Sequence, residues 1–256
     1  MRVVVFGATG VQGAAQVAAA SRAGHDVVAV SRSPKPITID GKQVETAAAD
    51  FTDTEGIKKA LKGADRLLIN LPSTSFHPAP PIFEGATLIG KAAKEAGIPL
   101  IVFNTSMPVP IESQDVKAQD DRRIMMKLLR DSGVPVIVLK PVCYLDNLLE
   151  GWALGPLRDS DTVKYCHKPT LRSSWISHEN VSALMVSAME RPELAGRDIR
   201  IGGPQTVNLQ ELTDKLSEGW NKPLKCEHQT VADFCDEISK TMQGRGLETD
   251  RIIKQM

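Results

Sequence analysis

The chain has 256 residues, enough for one large domain, or a domain with a smaller lobe, around a substantial core. Its 31 basic and 31 acidic side chains cancel, and no long run of one sign occurs, which excludes the electrostatic footprint of a nucleic-acid or anionic-lipid binder. The four cysteines, Cys143, Cys166, Cys226 and Cys235, have no CxxC spacing, which excludes a zinc knuckle or a disulfide framework and reads as free thiols in a reducing compartment.

The N-terminus, MRVVVFG, enters an apolar strand without a basic leader or cleavage site, and no span of about 18 apolar residues occurs; the expectation is a soluble, cytoplasmic protein. Next come the loop Gly7-Ala8-Thr9-Gly10-Val11-Gln12-Gly13 and an Ala-rich helix running to Gly24. The apolar runs DVVAVS, VETAAA, DRLLINL, IPLIVFN and VPVIVLK then alternate with amphipathic stretches. That alternation predicts an α/β fold: a doubly wound (Rossmann) parallel sheet with helices on both faces.

Helix punctuation agrees. Gly24, Gly63, Gly97 and Gly133 each separate a helical pattern from the next strand, where a left-handed terminal residue is wanted. Thr52 with Glu55, and Asn208 with Glu211, have capping-box spacing. Residues 79–96 place Ile82, Ala86, Ile89 and Ala93 on one helical face, to pack on the sheet. After Pro141 the alternation lapses into PVCYLDNLLEGWALGPL and VKYCHKPTLRSSW, rich in aromatic, cysteine and proline residues, the texture of an inserted lobe. The expected division is residues 1–142 as the nucleotide-binding domain, rejoined by about 196–219, with 143–195 and 220–256 as a small C-terminal substrate lobe. The polar stretch 228–256 has no clear place in that scheme.

The glycine loop lies between a strand and a helix, the context that a dinucleotide fingerprint requires. Gly7 can turn tightly, Gly10 lets the backbone approach a pyrophosphate, and Gly13 lets helix and strand pack closely. Thr9, Val11 and Gln12 complete the cradle, and the helix N-terminus offers amide donors to an anion. After the second strand the chain reads Ser31-Arg32 with no carboxylate, so a cationic site for a 2′-phosphate is expected and NADP(H) is preferred over NAD(H); the plain alternative for Arg32 is a solvated surface arginine.

Asp50 and Phe51, after the third run, suit an adenine amino group and its ring, although Asp50 is equally a candidate helix N-cap in competition with Thr52. Asn70-Leu71-Pro72 ends the fourth run at the same carboxyl edge, as ligand contacts or a simple strand exit. His77, in STSFHPAPP, has the titration range for proton transfer, or is a solvated loop residue. His178 reads as a polar helix start, and Cys166-His167 lacks further ligands at metal spacing, so no metal site is assigned.

Together GATGVQG, the SR pair, ADFTD and LLRDSGVPVIVLKP with YLDN resemble the NmrA-like family of atypical short-chain dehydrogenase/reductases, the match being strongest over about residues 1–150. The resemblance implies NAD(P)(H) binding on a doubly wound sheet with a small C-terminal substrate lobe. It does not settle catalysis, because the family holds reductases, quinone reductases and redox-sensing regulators.

Catalytic relatives carry a Tyr-x-x-x-Lys pair on the helix after the fifth strand, the tyrosine moving the carbonyl proton. Here the two tyrosines, Tyr144 and Tyr165, both lie beyond that helix. The lysine slot falls on Arg122, which can hold ribose hydroxyls or a phosphate but relays no proton at neutral pH, and Met126 replaces an acid one turn later. Lys117, five residues earlier, serves only if the helix starts differently. The resemblance further implies that Ser106 or Thr105 hydrogen-bonds a substrate carbonyl, or caps the strand exit, and that Tyr144 lines the substrate cleft, or simply packs.

The leading expectation is an NADPH-dependent reductase of a small quinone, enone, carbonyl or imine, its proton coming from water or a non-tyrosine donor. Two rivals stand beside it: a non-catalytic NADP(H) sensor acting through a protein partner, and a redox-neutral isomerase-type enzyme. The expected partner is a small-molecule substrate, with neither nucleic acid nor membrane, and a homo-oligomer stays open.

Overall fold

The computed structural model describes residues 1–241; the last part of the expected lobe, 242–256, lies outside the described residues. The strands are β1 (Arg2–Phe6), β2 (Asp26–Ser31), β3 (Ile37–Ile39), β4 (Lys42–Ala48), β5 (Arg66–Asn70), β6 (Ile101–Asn104), β7 (Val136–Pro141), β8 (Cys143–Tyr144), β9 (Thr162–Tyr165), β10 (Ser173–Ile176), β11 (Asp198–Ile201), β12 (Thr206–Val207) and β13 (Lys225–His228). The helices are α1 (Val11–Arg22), α2 (Thr54–Leu61), α3 (Ala79–Glu95), α4 (Lys117–Asp131), α5 (Gly151–Ser160), α6 (His178–Met189), α7 (Leu209–Trp220) and α8 (Val231–Thr241).

The principal sheet has eight strands in the order β11-β7-β6-β5-β1-β2-β4-β3. Every pairing in it is parallel except β3 on β4. The expected α/β doubly wound architecture is therefore present. The chain leaves β1 toward β2 and β4, then returns to place β5 on the other side of β1, which creates a topological switch point at the carboxyl ends of β1 and β5.

Strands covered on both faces read as unbroken apolar runs, and Val3, Val4 and Val5 of β1 are 0% exposed. One face is covered by α3 and α4, where Ile82, Ala86, Ile89 and Ala93 meet Met125 and Leu129 in a single core, as the 79–96 pattern predicts. The other face carries α1 and α6 packed on each other. Gly13, Val17 and Ala20 are buried on α1, and Val181, Met185 and Met189 are buried on α6. His25 Nε2 lies 3.1 Å from Glu190 Oε1 and ties the ends of the two helices.

Sequence punctuation is realised with two differences. Gly24, Gly63, Gly97 and Gly133 all have positive φ, and Asn208 with Glu211 forms a complete capping box at α7. The Thr52–Glu55 box does not form, because the Asp53 carboxylate accepts the Gly56 amide at 2.9 Å and becomes the N-cap of α2. The edge strand β3 was hidden in a short ITI run. The turn Asp40-Gly41, with φ of 47° and 80°, folds it back on β4 as an antiparallel hairpin.

Two compact units divide the chain: Met1–Pro141 with His178–Ile201, and Val142–Ser177 with the residues from Gly202 onward. This corrects the expected boundaries. The chain re-enters the first unit at α6, not near residue 196, because the α6 apolar face packs on α1. It leaves after β11 rather than near 219, because Leu209 and Leu212 of α7 belong to the core of the second unit. That core also holds Leu148, Leu157, Val163, Tyr165, Trp175 and Val207, around a three-stranded sheet β12-β10-β8 and the pair β13-β9.

Candidate functional site

The loop between β1 and α1 is built on glycine. Gly7 has φ of +76°, and the Gly10 amide donates to its carbonyl at 3.0 Å, closing the turn. A Cβ on residue 13 would stand 2.1 Å from the Gly7 carbonyl oxygen, so the helix can start this near the strand only with glycine there. Ala8 and Gly13 are buried, whereas Thr9, Gly10 and Val11 are exposed, Val11 at 67%. Gly10 opens α1 without a side-chain cap, and an uncapped helix start is the kind of place where backbone amides meet an anion.

Ser31 closes β2, buried at 8% exposure, and its carbonyl accepts the Ala49 amide at 3.1 Å. Arg32 and Lys35 follow it on the surface, and among the described residues neither is paired with a carboxylate. Asp50 is half-buried, and its carbonyl accepts the Asp53 amide at 3.1 Å. Phe51 is half-buried against the core and lies over Gly85 of α3, where a Cβ would come within 2.5 Å of the Phe51 Cβ. Its packing partner is therefore α3.

The ends of β5 and β6 meet the loop through Gln12. Asn70 and Asn104 are register partners on adjacent strands. Both aim their Nδ2 at Gln12 Oε1, at 3.4 and 3.0 Å, and Ser106 Oγ reaches the same oxygen at 3.0 Å. Ser106 has φ of +62°, a costly conformation for a side-chain-bearing residue, held by its amide donating to Asn104 Oδ1 at 2.9 Å. Asn70 Oδ1 is buried and has no hydrogen-bond partner among the described residues. Asn104 is the member of this cluster that the sequence reading left off its candidate site. The signal was present in the matched endings LLIN and IVFN, where a polar amide closes an apolar strand.

The other candidates separate by role. Thr105 is fully buried, and its hydroxyl reaches the carbonyls of Met107 at 2.7 Å and Leu139 at 3.2 Å, which makes it a strand-exit tie. Leu71 is buried in the core, its carbonyl accepting from Arg122 Nη1 at 3.0 Å, and Pro72 is half-buried beside it. Arg122 is 1% exposed, so its guanidinium braces α4 against the β5 exit. Lys117 opens α4 and pairs with the buried Asp121 at 2.6 Å. His77 is exposed on the loop before α3, and His178 opens α6 as read.

Tyr144 is buried in the second unit at 5% exposure. Tyr165, the other tyrosine, is buried there as well, so neither belongs to α4. The Tyr165 hydroxyl lies 3.7 Å from Cys143 Sγ and accepts from Asn147 Nδ2 at 3.3 Å. Burial pushes the Cys143 thiol up to about 11, against smaller opposing hydrogen bonds from Tyr165 and Asn147, and burial likewise raises Tyr165. His167 and Trp175 meet Tyr165 in edge-to-face contacts, with centroids 4.9 and 5.3 Å from its ring, and burial lowers the His167 pKa.

On the opposite edge of the sheet, a groove of about 560 Å³ is lined by Arg22, His25, Asp40 and Lys42. It is crossed by the Arg22–Asp40 ion pair at 3.1 Å, so opposed charges already satisfy each other there. At the carboxyl edge, by contrast, Asn70 Oδ1 has no hydrogen-bond partner among the described residues. Among the described residues no helix is long and apolar enough to cross a membrane.

The model of the NmrA-like family matches residues 1–246. The chain is 27% identical over 231 residues, 90% of its length and 77% of the relative's, to a (4-alkanoyl-5-oxo-2,5-dihydrofuran-3-yl)methyl phosphate reductase of Streptomyces griseus. It is 23% identical over 248 residues, 96% of its length and 82% of the relative's, to an NAD(P)H azoreductase of Xenophilus azovorans. In fold it is similar to an NADPH-dependent quinone oxidoreductase of Escherichia coli complexed with NADPH, with a TM-score of 0.75 at 18% identity, covering 100% of this chain and 88% of the other.

Proposed function

The chain belongs to the NmrA-like family, and on that premise we propose that it is an NADP(H)-dependent reductase of a small conjugated acceptor, a quinone, enone, carbonyl or imine. The observation that carries the reading is the carboxyl edge of the principal sheet. An uncapped helix start on a glycine turn lies there with the cation Arg32, and among the described residues Arg32 has no carboxylate partner and buried Asn70 Oδ1 has no donor. These residues fit a phosphorylated dinucleotide. The amides of the α1 start take the pyrophosphate, Arg32 with Lys35 takes a 2′-phosphate, and Asp50 takes the adenine amino group. Relatives named as an azoreductase, a furanone phosphate reductase and a quinone oxidoreductase support reduction of conjugated acceptors.

A nicotinamide nucleotide supplies hydride; the chain's part is to bind, orient and manage protons. Helix α4 carries no tyrosine, and Arg122, buried against the Leu71 carbonyl, holds its proton at neutral pH. The reading therefore takes substrates that need little general-acid assistance, with water as proton source and His77 or Lys117 as candidate side-chain donors. The second unit, with its aromatic cluster of Tyr165, His167 and Trp175, is assigned to substrate recognition, with Tyr144 as a candidate lining residue. Free cysteines suit the reducing cytoplasm.

The test is NADPH consumption across a panel of quinones, enones, aldehydes, imines and azo compounds. Oxidation of NADPH with at least one class, faster than with NADH, is expected. No consumption with any class would overturn the reading; turnover without net change in nicotinamide absorbance would favour the isomerase. Nucleotide binding without turnover, coupled to partner affinity, would favour the sensor.

A further inference from the structure

The contacts that join Ser106, Asn104 and Gln12 fix the direction of the hydrogen bonds among them. The Ser106 backbone amide can only donate, so the atom it meets at 2.9 Å is the Asn104 carbonyl oxygen, Oδ1. The other end of that side chain is then the amino group, and Nδ2 donates to Gln12 at 3.0 Å. This fixes the Gln12 atom as the acceptor Oε1, and Ser106 Oγ, 3.0 Å from an oxygen that has no hydrogen, must donate its single proton to it. What Ser106 has left for any other group is a pair of acceptor lone pairs. Neighbouring Asn70 repeats the pattern: Nδ2 faces Gln12 at 3.4 Å, and the buried Oδ1 has no donor. Among the described residues, two acceptors without donors thus sit beside the first turn of α1, one of them on a backbone held at φ of +62°.

We propose that Gln12 is a positioning residue that fixes Ser106 as a hydrogen-bond acceptor, so that the group recognised at Ser106 and Asn70 is a donor and not a substrate carbonyl. Resting on the nucleotide reading above, the donor belongs to the nicotinamide end of the dinucleotide: the carboxamide N–H or a ribose hydroxyl. Ser106 is then a cofactor-orienting residue, and the proton that completes reduction enters by another route.

The test reads affinity rather than turnover. Binding of NADPH, of its 3-acetylpyridine analogue, which lacks the carboxamide N–H, and of 2′-phospho-ADP-ribose, which keeps the ribose hydroxyls, is measured by titration calorimetry. Wild type is compared with Ser106→Ala, Ser106→Gly, Gln12→Met and the double variant Gln12→Met with Ser106→Ala. Glycine suits the positive φ, so Ser106→Gly removes the hydroxyl without backbone strain, and thermal melts report folding of each variant. Loss of one net hydrogen bond is expected to weaken NADPH roughly three- to tenfold in both Ser106 variants. Gln12→Met is expected to give at least a similar loss, and the double variant less than the sum of the two single losses, because Gln12 acts in part through Ser106. If the donor is the carboxamide, the acetylpyridine analogue binds wild type and Ser106 variants alike; if it is a ribose hydroxyl, the loss persists with 2′-phospho-ADP-ribose. Unchanged NADPH affinity in both Ser106 variants, or additive losses in the double variant, would overturn the inference while leaving the nucleotide reading intact. Failure of wild type to bind any of the three overturns both.

Discussion

The Gly7 carbonyl oxygen stands 2.1 Å from the point a Cβ on residue 13 would occupy. Strand and helix are so close there that any side chain must part them. Gly13→Ala is expected to cost about 1–3 kcal/mol of stability and to weaken NADPH binding at least tenfold by displacing the first turn of α1. Gly24→Ala is the control. Its site has φ of +83° but no neighbour within 4 Å, so backbone strain of about 1 kcal/mol is expected with unchanged nucleotide affinity. Chemical denaturation with NADPH titration checks both.

Arg32 lies exposed at the end of β2, with no carboxylate partner among the described residues. Its removal leaves no buried charge behind, so Arg32→Ala is expected to change stability by less than about 0.5 kcal/mol. Its effect is expected in cofactor choice: a charge-assisted contact to a 2′-phosphate contributes about 1.5–3 kcal/mol, roughly ten- to a hundredfold in NADPH affinity, with NADH little changed. A loss that is equal for the two cofactors would remove Arg32 from the 2′-phosphate site.

The alternation of apolar runs and helical stretches made the principal sheet legible, because strands buried on both faces have no polar positions to confuse the period. Helix ends were legible where one residue type has no substitute, as at Gly24, Gly63, Gly97 and Gly133. The capping of α2 was not, since Thr52 and Asp53 are both competent and only the geometry of the Gly56 amide decides between them. Boundaries between the units were misread for a similar reason. The apolar faces of α6 and α7 look alike in sequence, while one packs on α1 and the other joins the second core. At the candidate site the glycine loop was plain, but the Gln12 cluster joins residues 58 to 94 positions apart in the chain, which no local spacing reveals.

Edge strand β11 is anchored by a charge cluster: Asp198 meets Lys140 Nζ at 2.7 Å and also pairs with Arg130. Burial alone would raise the Asp198 pKa, yet hydrogen bonds and attraction from Lys140 and Arg130 outweigh it and hold the carboxyl below the usual range. A depressed folded pKa means that this contribution is complete above the unfolded value of about 3.9 and is lost as pH falls through the folded pKa. Asp198→Asn leaves Lys140, whose side chain is 7% exposed, without its carboxylate. The expected cost at pH 7 is about 1–3 kcal/mol, less than for a fully buried pair because Asp198 keeps one-third of its side chain in solvent. Urea melts from pH 7 to pH 2.5 should show wild type and variant converging below pH 4; a constant gap would show that the ionised carboxylate is not what holds the strand.

Burial holds the Cys143 and Cys166 thiols up at about 11 each. Since the thiolate is the nucleophile, only about one thiol in a thousand is reactive at pH 8. Both cysteines are therefore expected to stay unlabelled by iodoacetamide in the native protein at pH 8, to label faster above about pH 10, and to label at once in denaturant. Tyr165 adds a sign that separates thiol chemistry from simple access. Its hydroxyl, 3.7 Å from Cys143 Sγ, favours the thiolate and partly opposes the effect of burial. Tyr165→Phe removes that support and leaves Asn147 without the acceptor it meets at 3.3 Å, at a cost of about 1–2 kcal/mol. Native labelling of Cys143 at pH 9 should then become slower in the variant, read peptide by peptide in a mass spectrometer. Faster labelling, in step with lowered stability, would mean that opening of the second unit governs reactivity and that the hydroxyl has no part in it.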